Sequence, residues 1–245
     1  MDLQVTAKTD GMPIKAIAGV ELDLQEGSQI ATARVTDNTA RFCLSWDRFV
    51  RLKEAAGAIQ AIPPGRILDA GGYDGALALF LPDHNVEVID PATTGGSILD
   101  IPAANSSYPA VVAVDVLEHI NPEDRAKALS EFARVAATHI ILNYPCGDSK
   151  EAQELAFKLT NNSLIREHVQ WELPDSDWVL SELANSGFRG TVRAHTSIAV
   201  WLGQYVTLNL VPEAATELNR HLVENFDGEP FTKPLYHLLI CERNG

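Results

Sequence analysis

Three carboxylates stand directly behind short apolar runs: Asp69 after Ile67 and Leu68, Asp90 after residues 86–89, and Asp115 after residues 108–114. Gly71, Gly72 and Gly75 follow the first of them, and Glu118-His119 follows the third. An ionised carboxylate accepts two hydrogen bonds at once, so it can hold paired hydroxyls or an ammonium group. Glycine tolerates positive φ and has no Cβ, so a glycine turn lets a ligand touch backbone. Histidine titrates near neutrality and can take a proton from an attacking group. Acids and glycines at the carboxyl ends of buried strands therefore predict a binding crevice.

The elements that must position these residues alternate from Arg66 onward. Residues 86–89 and 108–114 read as buried parallel strands, and residues 76–81 as a helical stretch stopped by Pro82. Residues 121–136 carry the strongest helix signals: Asn121 as cap, Pro122 in the first turn, Glu123 and Asp124 at the positive end, and Leu129, Phe132 and Ala136 on one face. Residues 139–142 form the next strand, helices follow over about 149–159 and 175–185, and residues 188–194 and 236–242 close the sheet. Upstream, Ser45 is placed to cap a helix over 46–62, and runs at 16–24 and 29–35 flank Gln-Glu-Gly-Ser as a hairpin. The pattern predicts a doubly wound, mostly parallel α/β sheet of Rossmann-like type, with an amino-terminal extension over 1–44 and a main domain over 45–245.

Composition bounds the function. A chain of 245 residues with 46% hydrophobic content can bury a sizeable core. A net charge of -14 disfavours nonspecific binding to nucleic acid phosphates or anionic lipid, and no nucleic acid partner is expected. The three cysteines, Cys43, Cys146 and Cys241, are far apart and suggest neither a disulfide framework nor a CxxC metal site. No transmembrane segment or secretory leader is read, and a cytoplasmic location is expected.

Two cofactor classes use a glycine turn followed by an acidic strand end. The dinucleotide fingerprint Gly-x-Gly-x-x-Gly, begun at Gly71, puts Tyr73 where the pyrophosphate needs glycine; begun at Gly72, it puts Asp74 there. The other pattern fits better: an acid two residues before one glycine, and a second glycine four residues after it, as in Asp69, Gly71 and Gly75. On these residues, and on Val-Asp-Val-Leu-Glu-His at 114–119, the chain resembles the class I S-adenosylmethionine-dependent methyltransferases over 66–188 and the final strand.

The resemblance implies S-adenosylmethionine as cofactor and assigns Asp69, Gly71, Gly72, Tyr73 and Gly75 to its methionine part, with Tyr73 standing where the family has a glycine. It assigns Asp90, with Pro91 behind it, to the ribose hydroxyls, Ile98 and Leu99, or else Asp100 reaching in, to the adenine, and Asp115 and Val116 to the same pocket. Ser97 replaces the family's acid near the adenine. His119 is the expected base, or else it packs beneath the cofactor. Tyr144 is expected to donate its phenol to the acceptor or to wall the pocket, and Glu118, Asn143 and His168 to contact the substrate.

Asp115, Glu118, His119 and His168 also make a donor set for a divalent cation. Methyl transfer does not require one, so a site without metal is expected. The acceptor is expected to be an oxygen of a small molecule or glycan; the alternative is a binding or regulatory module on the same fold. Residues 198–227 are read as an insertion, and 198–211 are too apolar to leave in water. That stretch must pack on the domain, on a second copy of the chain, or on a membrane surface.

Overall fold

Along the strand from Tyr108 to Val114, side chains alternate between two cores. Ala110 and Val112 join one core, and Val111 and Ala113 join the other. Helices must therefore cover both faces of the sheet. The structure, a computed structural model, describes residues 4–7 and 13–245.

In chain order, β1 (Gln4–Ala7) and β2 (Pro13–Ala16) form a separate antiparallel pair. The strands β3 (Val20–Leu24) and β4 (Ala31–Val35) form the expected hairpin. The run expected over 16–24 is broken at Gly19, which has φ +81°, and a Cβ there would lie 2.3 Å from the Asp37 carbonyl oxygen. β4 then pairs with β6 (Asn85–Ile89) through Ala31 opposite Val88, closing what would be a bare edge of the parallel strands.

The remaining strands are β5 (Arg66–Ala70), β7 (Tyr108–Val114), β8 (Ala136–Pro145), β9 (Phe188–Ser197) and β10 (Pro234–Arg243). The eight-stranded sheet has the order β3-β4-β6-β5-β7-β8-β10-β9. Its centre, β6-β5-β7-β8, is parallel, and β10 is antiparallel to both β8 and β9.

One face carries α1 (Trp46–Ile59), α3 (Lys150–Thr160), α6 (Ile198–Leu210) and α7 (Pro212–Asn225). The other carries α2 (Arg125–Val135) and α5 (Ser176–Asn185), whose Leu129, Phe132, Val179 and Leu183 are buried against Val111 and Leu142. Phe132 is wholly buried, so truncating it to alanine would cost about 3–5 kcal/mol.

Caps set several boundaries. Asn121 accepts from the Glu123 amide at 3.2 Å, and Asp175 accepts from the Trp178 amide at 2.8 Å. Ser45 makes no side-chain cap bond; instead Asn219 of α7 accepts from the Trp46 amide at 2.7 Å and donates to the Leu44 carbonyl at 2.8 Å. Helix α7 thus holds the start of α1.

Residues 198–211, given no element from sequence, fold as α6. It is apolar nearly all round, which hides the helical period, yet Trp201, Gln204 and Tyr205 face inward at helical spacing. No described helix is long and apolar enough to cross a membrane.

Candidate active site

The parallel register decides where the acids meet. Ala70 lies opposite Ile89, and the Gly71 amide donates to the Ile89 carbonyl at 2.8 Å, so the glycine turn and Asp90 leave the sheet side by side. Asp69 lies opposite Val112, which puts Asp115 just beyond on the neighbouring strand. The three carboxyl ends open into one cavity of about 880 Å³.

Of the residues singled out from sequence, Asp69, Gly71, Gly72, Tyr73, Asp90, Pro91, Ile98, Leu99, Asp115, Val116, His119 and His168 line that cavity. Gly75, Glu118, Asn143 and Tyr144 do not. Gly75 works behind the wall: at φ +78° it turns the chain into the 3-10 segment Ala76–Phe80, and a Cβ would press on Leu22 at 3.0 Å.

Tyr144 is corrected most clearly. Strand alternation sends it to the opposite core, where it is fully buried and its hydroxyl lies 3.1 Å from Ser176 Oγ. A phenol there cannot meet an acceptor in the cavity. Asn143 points to the cavity's side of the sheet but is buried beneath it, with Nδ2 2.6 Å from His195 Nε2.

The glycine turn is tight for a reason. A Cβ on Gly71, at φ +80°, would lie 2.6 Å from Val116, and one on Gly72 would lie 2.3 Å from Asp69 Oδ2. Tyr73 takes φ +45° without being glycine and stands at the cavity edge, 36% exposed. Asp74 behind it accepts from Arg48 of α1 at 2.9 and 2.5 Å, which ties the turn to that helix.

Burial, with Asp74 and Asp90 nearby and Arg48 opposing, pushes the Asp69 carboxyl up to about 7. Asp90 accepts from the amides of Ala92 and Thr93 through Oδ1, at 2.8 and 3.1 Å; Oδ2 carries neither bond.

Asp115 adopts φ +56°, and Arg51 lies 2.9 Å from its Oδ2. The same guanidinium meets Asp47 at 3.0 Å and the Tyr236 hydroxyl at 3.1 Å. Glu118 is fully buried and meets no hydrogen-bond donor among the described residues besides the carboxyl group of Asp115. Its burial and the neighbouring Asp115 hold its carboxyl well above the usual carboxylate range.

His119 and His168 come together across 49 residues, with their Nε2 atoms 3.2 Å apart. His119 Nδ1 lies 2.7 Å from Glu167 Oε2, and His168 Nδ1 lies 3.2 Å from Gln153 Oε1. Both Glu167 and His168 sit on α4 (Ser163–Gln170), a helix the sequence reading did not assign. Burial and His119 lower His168 to about 3, so its ring is neutral near neutral pH.

Sequence reasoning missed Asp47, Arg48 and Arg51 on α1, and Trp201 and Tyr205 on α6, all of which line the cavity. A signal existed for the first group: Asp47 and Arg51 are an i, i+4 pair beside the buried Phe49, Val50 and Leu52. The Tyr205 hydroxyl is buried and finds no partner among the described residues.

No protein-family model matches the chain and no curated protein matches its sequence. Solved structures do. A candidate sarcosine dimethylglycine methyltransferase of Galdieria sulphuraria is 14% identical, with a TM-score of 0.51 over 81% of this chain and 87% of that one. A candidate methyltransferase from an antibiotic biosynthesis pathway of Anabaena variabilis is 13% identical, with a TM-score of 0.53 over 78% and 96%. At these identities the likeness concerns the fold, which is that of the S-adenosylmethionine-dependent methyltransferases.

Proposed function

We propose that the cavity binds S-adenosylmethionine and that the chain transfers its methyl group to an oxygen of a small molecule or glycan. One observation carries the reading: the glycine turn, Asp90 and the turn from Asp115 to His119 border a single cavity at the ends of three adjacent parallel strands. The residues fit the cofactor chemically. Gly71 and Gly72 leave backbone exposed where a Cβ would collide, Asp69 offers a carboxylate to an ammonium group, and Asp90 offers Oδ2 to ribose hydroxyls. Ile98 and Leu99 give the purine an apolar flank.

The cofactor supplies an already activated methyl on a sulfonium, so the protein's main task is to align the acceptor. Glu167 holds the Nδ1 hydrogen of His119 and leaves its Nε2 lone pair to take the acceptor's proton. Trp201 and Tyr205 offer ring faces, and Leu164, Ile165 and Leu208 add an apolar wall. These features suit a hydroxyl-bearing ring compound or sugar.

Titration calorimetry with S-adenosylhomocysteine tests the reading. Micromolar or tighter binding is expected, with Asp90→Ala weakening it tenfold or more. The reading is overturned by no heat of binding at saturating ligand, or by unchanged affinity in Asp90→Ala.

A further inference from the structure

The two histidines described above face one another through their Nε2 atoms at the wall of the cavity. A carboxylate only accepts, so Glu167 fixes the hydrogen of His119 on Nδ1. Gln153 Oε1 lies 3.2 Å from His168 Nδ1 and accepts from it when that nitrogen carries the hydrogen. In that tautomer each ring turns an Nε2 lone pair toward a shared space, with the two nitrogens 3.2 Å apart, and a proton or a metal cation there satisfies both.

Next to the pair is a buried carboxyl group. Glu118 is completely buried and meets no hydrogen-bond donor among the described residues besides the carboxyl group of Asp115. The donor atoms of Glu118, His119 and His168 all lie within 4.8 Å of one another. We infer that Glu118, His119 and His168 form a binding site for a divalent first-row transition metal.

The spacing suits this. Two imidazole nitrogens bound at about 2.0–2.1 Å on a tetrahedral centre stand roughly 3.3 Å apart, and the observed separation is 3.2 Å. Two imidazoles and one carboxylate favour zinc, cobalt, iron or manganese over magnesium or calcium, which prefer all-oxygen sets. The hydrogen bonds to Nδ1 from Glu167 and Gln153 are the outer contacts that orient metal-bound histidines and set their tautomer.

The nearby Arg51 does not oppose the charge, because Asp47 and Asp115 already pair with it. His119 and His168 line the cavity while Glu118 closes the site from behind, so the open coordination position faces the cavity.

Binding follows from the donor geometry alone. The role of the cation rests on the methyltransferase reading: there it would orient the acceptor hydroxyl and favour its ionised form, and His119 would act as ligand instead of base.

Cobalt(II) is the probe. Protein stripped with a chelator is titrated with Co2+ in the absence of cofactor, and visible d–d absorption and bound metal are measured. One equivalent per chain is expected, displaced by Zn2+. His168→Ala and Glu118→Gln should each weaken binding tenfold or more, Gln153→Ala should weaken it by about 10–100-fold, and the exposed His221→Ala should change nothing. Glu118→Gln keeps the side chain's shape, and circular dichroism checks that each variant is folded. Absence of saturable binding by the wild-type chain, binding unaltered in Glu118→Gln, or binding lost in His221→Ala would each overturn the assignment. S-adenosylhomocysteine calorimetry on the same stripped protein reports the cofactor reading separately, so either can fail alone.

Discussion

Arg51 Nη2 lies 2.9 Å from Asp115 Oδ2, and through this contact helix α1 neutralises the acid at the end of strand β7. Asp47 and the Tyr236 hydroxyl complete the cluster, so one cation serves two acids at the cavity floor.

Replacing Arg51 with methionine keeps the bulk and removes the charge, leaving two partly buried acids unpaired. The loss should be about 3–5 kcal/mol, read by urea unfolding. A change below about 1 kcal/mol would mean that water already screens the cluster.

Asp69 should make cofactor affinity depend on pH. Burial raises its carboxyl to about 7, so the neutral form is favoured in the empty fold below that pH. By linkage, the stability contributed by this raised pKa is present below the unfolded value and lost as pH rises through about 7. Pairing with the cofactor's ammonium group needs the ionised form. Affinity for S-adenosylhomocysteine should therefore tighten between pH 6 and 8, and Asp69→Asn should flatten the profile. An equal slope in the variant would show that another group titrates.

His195 predicts the opposite signature in stability. Burial, with Arg193, His237 and Arg51 adding to it, lowers its pKa to about 3. On unfolding it regains its ordinary value, so the unfolded chain binds an extra proton as pH falls below 6.5. The contribution is complete above 6.5 and is lost between there and about 3, with a slope approaching 1.4 kcal/mol per pH unit. Thermal melts of wild type and His195→Gln across this range should show a shallower decline for the variant. Parallel curves would remove His195 from the account.

Two glycines should respond oppositely to alanine. Gly57 lies inside α1, and an added Cβ would meet nothing within 4 Å, so Gly57→Ala should stabilise by about 0.5–1 kcal/mol. Gly71 combines φ +80° with Val116 2.6 Å from the added carbon. Gly71→Ala should cost more than about 1 kcal/mol and weaken S-adenosylhomocysteine binding tenfold or more. Calorimetry beside chemical denaturation separates the two effects.

Much of the scaffold was legible because its signals are local. Residues 108–114 are an unbroken apolar run closed by Asp115, and they form β7 with those bounds. Pro212, suited to a helix's first turn, and the apolar spacing of Ala215, Leu218 and Leu222 are equally local signals, and α7 spans Pro212–Asn225. The amphipathic helix over 121–136 begins instead with a 3-10 turn, Pro122–Asp124, before α2. Helix α6 was hidden because apolar residues surround it and leave no polar stripe to reveal a period.

What the sequence determined by itself is the order of strand ends, the glycine turn and the acids behind them, since each depends on a few neighbouring residues. Only the tertiary structure decided which of those groups share a space. It sent Tyr144 to the far core because successive strand side chains alternate, and it brought Arg51 to Asp115 across two separate elements. It also set His168 against His119, with Glu118 buried beside them. Such meetings depend on crossover lengths and helix orientation, which no local pattern of residues records.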